Sequence, residues 1–147
     1  MPPEPVIVSA AEYLEPGRAL DLASGSGRNA IWLAERGWTI TTVDREPAPA
    51  LPDRHIVADL EKHEYTIEPD SWDLIVICRY LQRDLFAPAK RGVVSGGIIV
   101  AVVLLEGSTP GRFRMQRGEL RTYFDDWEIL HYAENGTAEI VGRKPGP

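Results

Sequence analysis

The segment Leu20-Asp21-Leu22-Ala23-Ser24-Gly25-Ser26-Gly27-Arg28-Asn29-Ala30, read together with Asp44 further along the chain, has the residue types of an adenosine-cofactor site. Gly25 and Gly27 lack a Cβ, so the backbone there can approach a ligand closely or take positive φ. Arg28 opens a helix whose free N–H groups face the same ligand, and Ala30, Ile31 and Ala34 keep the spacing of a face packed on a sheet. Gly37 is its stop. Asp44 closes the alternating run Thr39-Ile40-Thr41-Thr42-Val43, which places its carboxylate at the carboxyl end of the neighbouring strand, where it can accept from both ribose hydroxyls.

The elements that must position these residues follow one another in β/α alternation. The Ser9-Ala10-Ala11-Glu12 capping box predicts a short helix over 9–15, stopped by Pro16-Gly17. The connection Pro47-Ala48-Pro49-Ala50-Leu51-Pro52 is too rich in proline for a regular crossover helix, so the crossover after strand two is reduced to a loop. His55 to Ala58 is a short strand ending at Asp59, and Asp73 to Cys78 is a continuous apolar strand of the kind buried inside a parallel sheet. A helix is expected from Leu81 to Arg91 with Pro88 as a kink, then a strand from Ile98 to Leu105 introduced by Gly96-Gly97. A helix from about Gly118 to Phe124 leads to two alternating runs, Trp127 to Glu134 and Thr137 to Val141, joined by Asn135-Gly136, a hairpin signal. The sum is an α/β domain with a mostly parallel seven-stranded sheet and an antiparallel strand in its C-terminal hairpin.

With 147 residues the chain makes a single domain, 1–147, too short to add a separate substrate domain to a nucleotide-binding one. A formal charge of −6 argues against a dedicated nucleic-acid binder. Cys78 lies in an apolar run and reads as a small hydrophobe rather than a nucleophile. His55, His63 and His131 are scattered without metal-ligand spacing. The N-terminus lacks the pattern of a signal peptide and Ile98 to Leu105 is too short to span a bilayer, so a cytoplasmic protein without membrane partners is expected.

Gly25-x-Gly27-x-x-Ala30 with Asp44 also satisfies the dinucleotide fingerprint, so an NAD(P)-dependent oxidoreductase is the alternative. Three features favour S-adenosylmethionine instead. Asp21 puts an acid where nicotinamide folds usually carry an apolar residue, the chain ends in a hairpin, and it is short for a dehydrogenase.

On these residues, with Val43-Asp44, Ala58-Asp59-Leu60, Asp73 to Val76, Arg79 to Arg83 and the stretch from Gly118 to Glu128, the chain resembles the class I S-adenosylmethionine-dependent methyltransferases. Within them it resembles the tellurite-resistance TehB-like family, over nearly its whole length. The resemblance implies a Rossmann-like three-layer sandwich. It further implies that Asp21, Ala23, Gly25 and Gly27 surround the methionine part of S-adenosyl-L-methionine, with Arg28 meeting its carboxylate. Asp44 would hold the ribose, and Asp59, with Ala58 and Leu60 beside the ring, the adenine. Arg79 and Tyr80 would lie at the mouth near the sulfonium. Ala23 replaces the family's first glycine, which is tolerable if φ there is negative. Gln82 stands where many relatives carry histidine, and the chain after Ala133 lacks the His-Arg pair of tellurite methyltransferases.

Methyl transfer from a sulfonium needs alignment and desolvation more than a catalytic triad. For a small-molecule acceptor, such as the oxyanions tellurite or selenite, Arg79, Tyr80 and Arg83 are the candidates for orientation, with Arg112 and Arg114 as further guanidiniums. The alternative for Arg112, Arg114, Arg117 and Arg121 is a solvated loop and helix face, and Asp59 could simply start a loop. A cofactor-binding regulatory domain without turnover is the third reading. The thin N-terminal cover suggests that a homodimer contact closes the pocket.

Overall fold

The computed structural model describes residues 2–48, 51, 53–107 and 114–147. In chain order these form α1 (Pro5–Ala11), β1 (Arg18–Leu22), α2 (Arg28–Glu35), β2 (Thr39–Asp44), β3 (Arg54–Val57) and β4 (Trp72–Cys78). They continue as α3 (Phe86–Gly92), β5 (Val93–Leu104), α4 (Glu119–Thr122), β6 (Glu128–Asn135) and β7 (Thr137–Arg143). The seven strands make one sheet in the order β3-β2-β1-β4-β5-β7-β6. Strands β1 to β5 pair parallel, and β7 runs antiparallel to both of its neighbours.

Strand alternation explains the three layers, because successive side chains of a buried strand point to opposite faces. Leu74 and Val76 of β4, with Ile98, Val100 and Val102 of β5, pack against Val6, Ile7 and Ala10 of α1 and Ala30 and Leu33 of α2. The intervening Ile75, Ile77, Ile99, Ala101 and Val103 face the other way, onto Phe86 and Ala89 of α3 and Leu120 of α4. There Phe124 stands edge-on to both Phe86 and Trp127, at centroid distances of 5.9 and 5.7 Å.

Several boundaries differ from the sequence expectation for identifiable reasons. Helix α1 starts at Pro5 rather than Ser9, because proline at the first helical position loses no hydrogen bond. That start also buries Val6, Ile7, Ala10 and Ala11 on one face, so Ser9 is interior to the helix and 12–14 are turn. The 81–91 segment divides into a 3₁₀ turn at Arg83–Leu85 and α3, with Pro88 in the first turn of α3, where its missing N–H costs nothing. Strand β5 begins five residues before Ile98: Val93 pairs with Trp72, the register shifts, and Ile98 pairs with Leu74. In the hairpin, Asn135 pairs with Thr137, leaving Gly136 at φ 73° as the tip. No helix is assigned among the described residues between β2 and β3, as the proline content predicted; Pro49, Ala50 and Pro52 lie outside the described residues.

Candidate active site

The parallel strands β1, β2 and β4 end side by side, so the loops leaving them share one rim of the sheet. Open α/β sheets hold ligands at that rim. Ser24 N–H donates to Val43 O across the end of β2 at 3.1 Å, and Gly27 N–H returns to Ser24 O at 3.0 Å. This draws the glycine loop over the β1–β2 edge and points the start of α2 at the rim. A Cβ on Gly27, at φ 81°, would lie 2.0 Å from Leu51 Cδ2, so the turn and the β2–β3 connection are fitted to each other through that glycine.

The swing out of β1 falls on Ala23 at φ 59°, so the condition under which an alanine would sit there without strain, a negative φ, is not met. Ala23 lies between the end of β1 at Leu22 and the Ser24–Val43 bond, so the chain turns onto β2 at this residue. An L-residue with a Cβ costs about 1–2 kcal/mol in the left-handed region. Ala23→Gly is therefore expected to raise unfolding stability by about 1 kcal/mol, read as a higher denaturant midpoint at unchanged m-value. An unchanged or lower midpoint would count against the strain.

Three adjoining cavities occupy the rim. One of about 340 Å³ is lined by Ala23, Asp44, Arg45, Ala58, Asp59, Leu60, Glu61, Arg79 and Tyr80. A second, of about 240 Å³, is bounded by the glycine loop, Asp21, Arg28 and Arg79. A third, of about 200 Å³, lies between Tyr80, Leu81, Glu61, Leu104 and Arg79. Arg79 borders all three. Its left-handed backbone, at φ 57°, is fixed by its N–H donating to Val102 O at 2.7 Å, a strained exit from β4 of the kind found at functional sites.

Asp21 is 1% exposed, and its Oδ2 finds no hydrogen-bond partner among the described residues. Burial, with a smaller contribution from the nearby Asp44 carboxylate, pushes its pKa up to about 7. An orphaned buried acid on a cavity wall suits a cationic ligand group. Asp44 is half-buried; its Oδ1 accepts from Gly25 N at 3.4 Å and its Oδ2 from Glu46 N at 3.1 Å, so it ties the glycine loop to the end of β2. Asp59 both opens a turn, accepting from Glu61 N at 3.0 Å, and lines the large cavity between Ala58 and Leu60. Arg28 Nη2 donates to Glu4 Oε1 at 2.6 Å. Burial, with Glu61, Asp59 and Asp84 nearby, pushes the Tyr80 phenol up to about 12, so it stays protonated near neutral pH and donates to Gln82 Oε1 at 2.6 Å. Gln82 in turn reaches Leu60 O and Asp84 Oδ1, which ties the β4 exit to the turn at Asp59.

The structure thus brings together Asp21, Ala23, Gly25, Arg28, Asp44, Ala58, Asp59, Leu60, Arg79 and Tyr80 around adjoining cavities, with Gly27 supporting the loop from behind. Arg83 is elsewhere engaged: it forks onto Glu119, Nε to Oε2 at 2.6 Å and Nη2 to Oε1 at 3.1 Å, and lines none of the three cavities. The Arg114 carbonyl accepts from Arg83, and Arg117 pairs with Glu134 at 3.7 Å. Arg112 lies outside the described residues. Glu4 was not legible as a site residue, although an acid directly before a helix-opening proline is a local signal that an N-cap stands there. Burial and the Glu4 and Asp21 carboxylates push the half-buried Cys78 thiol up to about 11, which leaves it inert at neutral pH. No cluster of metal-ligand type occurs among the described residues, and no helix among them is long and apolar enough to cross a membrane.

The donor set fits S-adenosylmethionine: an unpartnered buried acid for an ammonium, guanidiniums for a carboxylate, and half-buried acids beyond the ends of β2 and β3 for ribose and base. Comparison with known proteins points the same way. Residues 3–74 match the family model described as tellurite resistance protein TehB. A probable S-adenosyl-L-methionine-dependent methyltransferase TehB from Haemophilus influenzae is 26% identical over 88% of this chain and 52% of its own length. Hemagglutinin 1 of Eikenella corrodens is 27% identical over 87% of this chain and 49% of its own. The chain spans about half the length of the curated relatives it matches. The crystal structure of TehB from Haemophilus influenzae superposes with a TM-score of 0.83 at 23% identity, covering 96% of this chain and 62% of that one. A Burkholderia thailandensis 1,6-didemethyltoxoflavin-N1-methyltransferase, solved with its substrate and S-adenosylhomocysteine, superposes at 0.71 with 17% identity over 97% of this chain and 80% of that one. Family model, sequence relatives and fold together show that the chain is similar to the TehB family and has the class I methyltransferase fold.

Proposed function

We propose that the chain binds S-adenosylmethionine and transfers its methyl group to a small-molecule acceptor. The observation that carries this reading is Asp21, a buried acid with an unpartnered oxygen at the wall of a cavity shared with the glycine loop and Arg79. The family's S-adenosylmethionine-dependent relatives support it. So does the strand order, because a nicotinamide-binding Rossmann sheet has no antiparallel strand inserted between its fifth and last strands.

Each residue has a role that its position supports. Asp21 holds the ammonium and Arg28, with Arg79, the carboxylate of the methionine end; Asp44 accepts from the ribose hydroxyls, and Asp59 from the adenine amino group, with Ala58 and Leu60 against the ring. The bound cofactor supplies an electrophilic methyl on a sulfonium. Arg79 and Tyr80 border the 200 Å³ cavity on the mouth side, where they orient an acceptor and exclude water from its approach. That volume suits a small molecule. The protonated Tyr80 is fixed at that wall by donating to Gln82 and does not act as a base near neutral pH. Arg83 is held by Glu119 and reaches an acceptor only if that fork opens.

The test is methyl transfer from labelled S-adenosylmethionine to a panel containing tellurite, selenite, thiols and small amines. Label transfer to one class is the expected result, and Tyr80→Phe should lower it by about tenfold through loss of the Tyr80–Gln82 hydrogen bond that holds this wall. Cofactor binding without transfer to any of them would favour the second reading, a binding domain without turnover.

A further inference from the structure

The N-terminal segment meets the rim through Glu4, a residue outside the glycine turn. Glu4 is 8% exposed, and its Oε1 accepts from Arg28 Nη2 at 2.6 Å and from Arg79 Nε at 2.5 Å. Its own N–H donates to Asn29 Oδ1 at 3.0 Å, and Arg28 Nη1 reaches back to Pro2 O at 3.3 Å. Burial alone would raise the Glu4 pKa, but the hydrogen bonds and charges of Arg79 and Arg28 outweigh it and hold the carboxyl below its usual value, so it is ionised at neutral pH.

The three groups come from distant parts of the chain: the N-cap of α1, the first residue of α2 and the left-handed exit of β4. The two arginines line the cavity that holds Asp21, whereas Glu4 does not, so it acts from behind them. One carboxylate between two guanidiniums leaves one net positive charge at the cavity that the orphaned Asp21 also lines. Among the described residues Arg79 uses only its Nε on Glu4, which orients its two Nη groups for another acceptor.

We infer that Glu4 is a positioning residue for the amino-acid end of the ligand. It sets the two guanidiniums so that, with Asp21, the site recognises a zwitterionic α-amino acid group. This rests on the S-adenosylmethionine reading above.

Equilibrium binding of two probes separates the possibilities: S-adenosylhomocysteine, which carries the amino-acid end, and 5′-methylthioadenosine, which lacks it. Glu4→Gln should weaken S-adenosylhomocysteine by roughly ten- to a hundredfold and leave 5′-methylthioadenosine within about twofold. Glu4→Asp keeps the charge but, one methylene shorter, cannot span both guanidiniums; it should show the same selective loss and decides the matter if the glutamine variant does not fold. Retained 5′-methylthioadenosine affinity is itself the check on folding. Equal losses for both probes would make Glu4 merely structural, and tighter S-adenosylhomocysteine binding would make it a competitor for the arginines. Either result, or no change, overturns this inference alone. Wild-type protein that binds neither probe overturns the proposed function, and this inference with it.

Discussion

Asp21→Asn is expected to make the ligand-free protein more stable at pH 8 while weakening cofactor binding. In the native state burial holds the Asp21 carboxyl near pKa 7, whereas the unfolded chain releases that proton near the ordinary aspartate value of 3.8. Between those values the native state binds more protons than the unfolded one, so this group makes stability fall as pH rises. The penalty is absent below the unfolded pKa, grows through the interval and is complete above about pH 7. Its full size is on the order of 4 kcal/mol. Asparagine removes the charge, so denaturant unfolding should show a variant that exceeds wild type at pH 8 and loses that advantage by about pH 4. Binding should move the opposite way, with S-adenosylhomocysteine weakened by roughly ten- to a hundredfold as the ammonium loses its counter-ion. Because the ammonium pairs with the ionised carboxylate, wild-type affinity should be about tenfold lower at pH 6 than at pH 8, and this dependence should vanish in the variant. Stability that tracks wild type at every pH would show that Asp21 is not held as a buried acid. Unaltered affinity would remove it from the site.

Asp44→Ala is expected to weaken S-adenosylhomocysteine by about 1–3 kcal/mol, the cost of losing a charged acceptor for ribose hydroxyls. Two changes accompany it. The Gly25 and Glu46 N–H groups lose their acceptor, which loosens the glycine loop where it meets β2. The Asp44 charge that helps to raise the Asp21 pKa also disappears, so the pH at which binding strengthens should shift downward. Calorimetric titration across pH separates these effects: a ribose contact lowers affinity at every pH, whereas an electrostatic role alone moves only the midpoint. Unchanged affinity would remove Asp44 from the ligand.

The parts of the site that were legible in the sequence are those set by local chemistry. Gly25 and Gly27 mark a turn because positive φ is nearly free for glycine, and both take it. Asp44 and Asp59 were placed by strand alternation and by the end of each run, and the strands end where the pattern put them, within a residue. The positive φ of Ala23 was not legible because it accompanies the crossing onto Val43, a contact its own side chain does not announce. The start of α1 was displaced because a capping box at Ser9 competed with burial of Val6 and Ile7, and burial prevailed. Arg83 looked like an acceptor ligand from its place after the fourth strand, but Glu119, 36 positions away, takes both sides of its fork. Glu4 joins residues 24 and 75 positions away, and neither separation leaves a periodic trace.

On the proposed function, the rim built by Asp21, the glycine loop, Asp44 and Arg79 takes S-adenosylmethionine rather than a nicotinamide cofactor. Thermal unfolding in the presence of S-adenosylhomocysteine or NADH tests it most directly. A ligand at a hundredfold excess over its Kd adds about 2.7 kcal/mol to folding and raises the midpoint by several degrees. S-adenosylhomocysteine should produce that rise and NADH none; a rise with NADH alone, or with neither, would contradict the account.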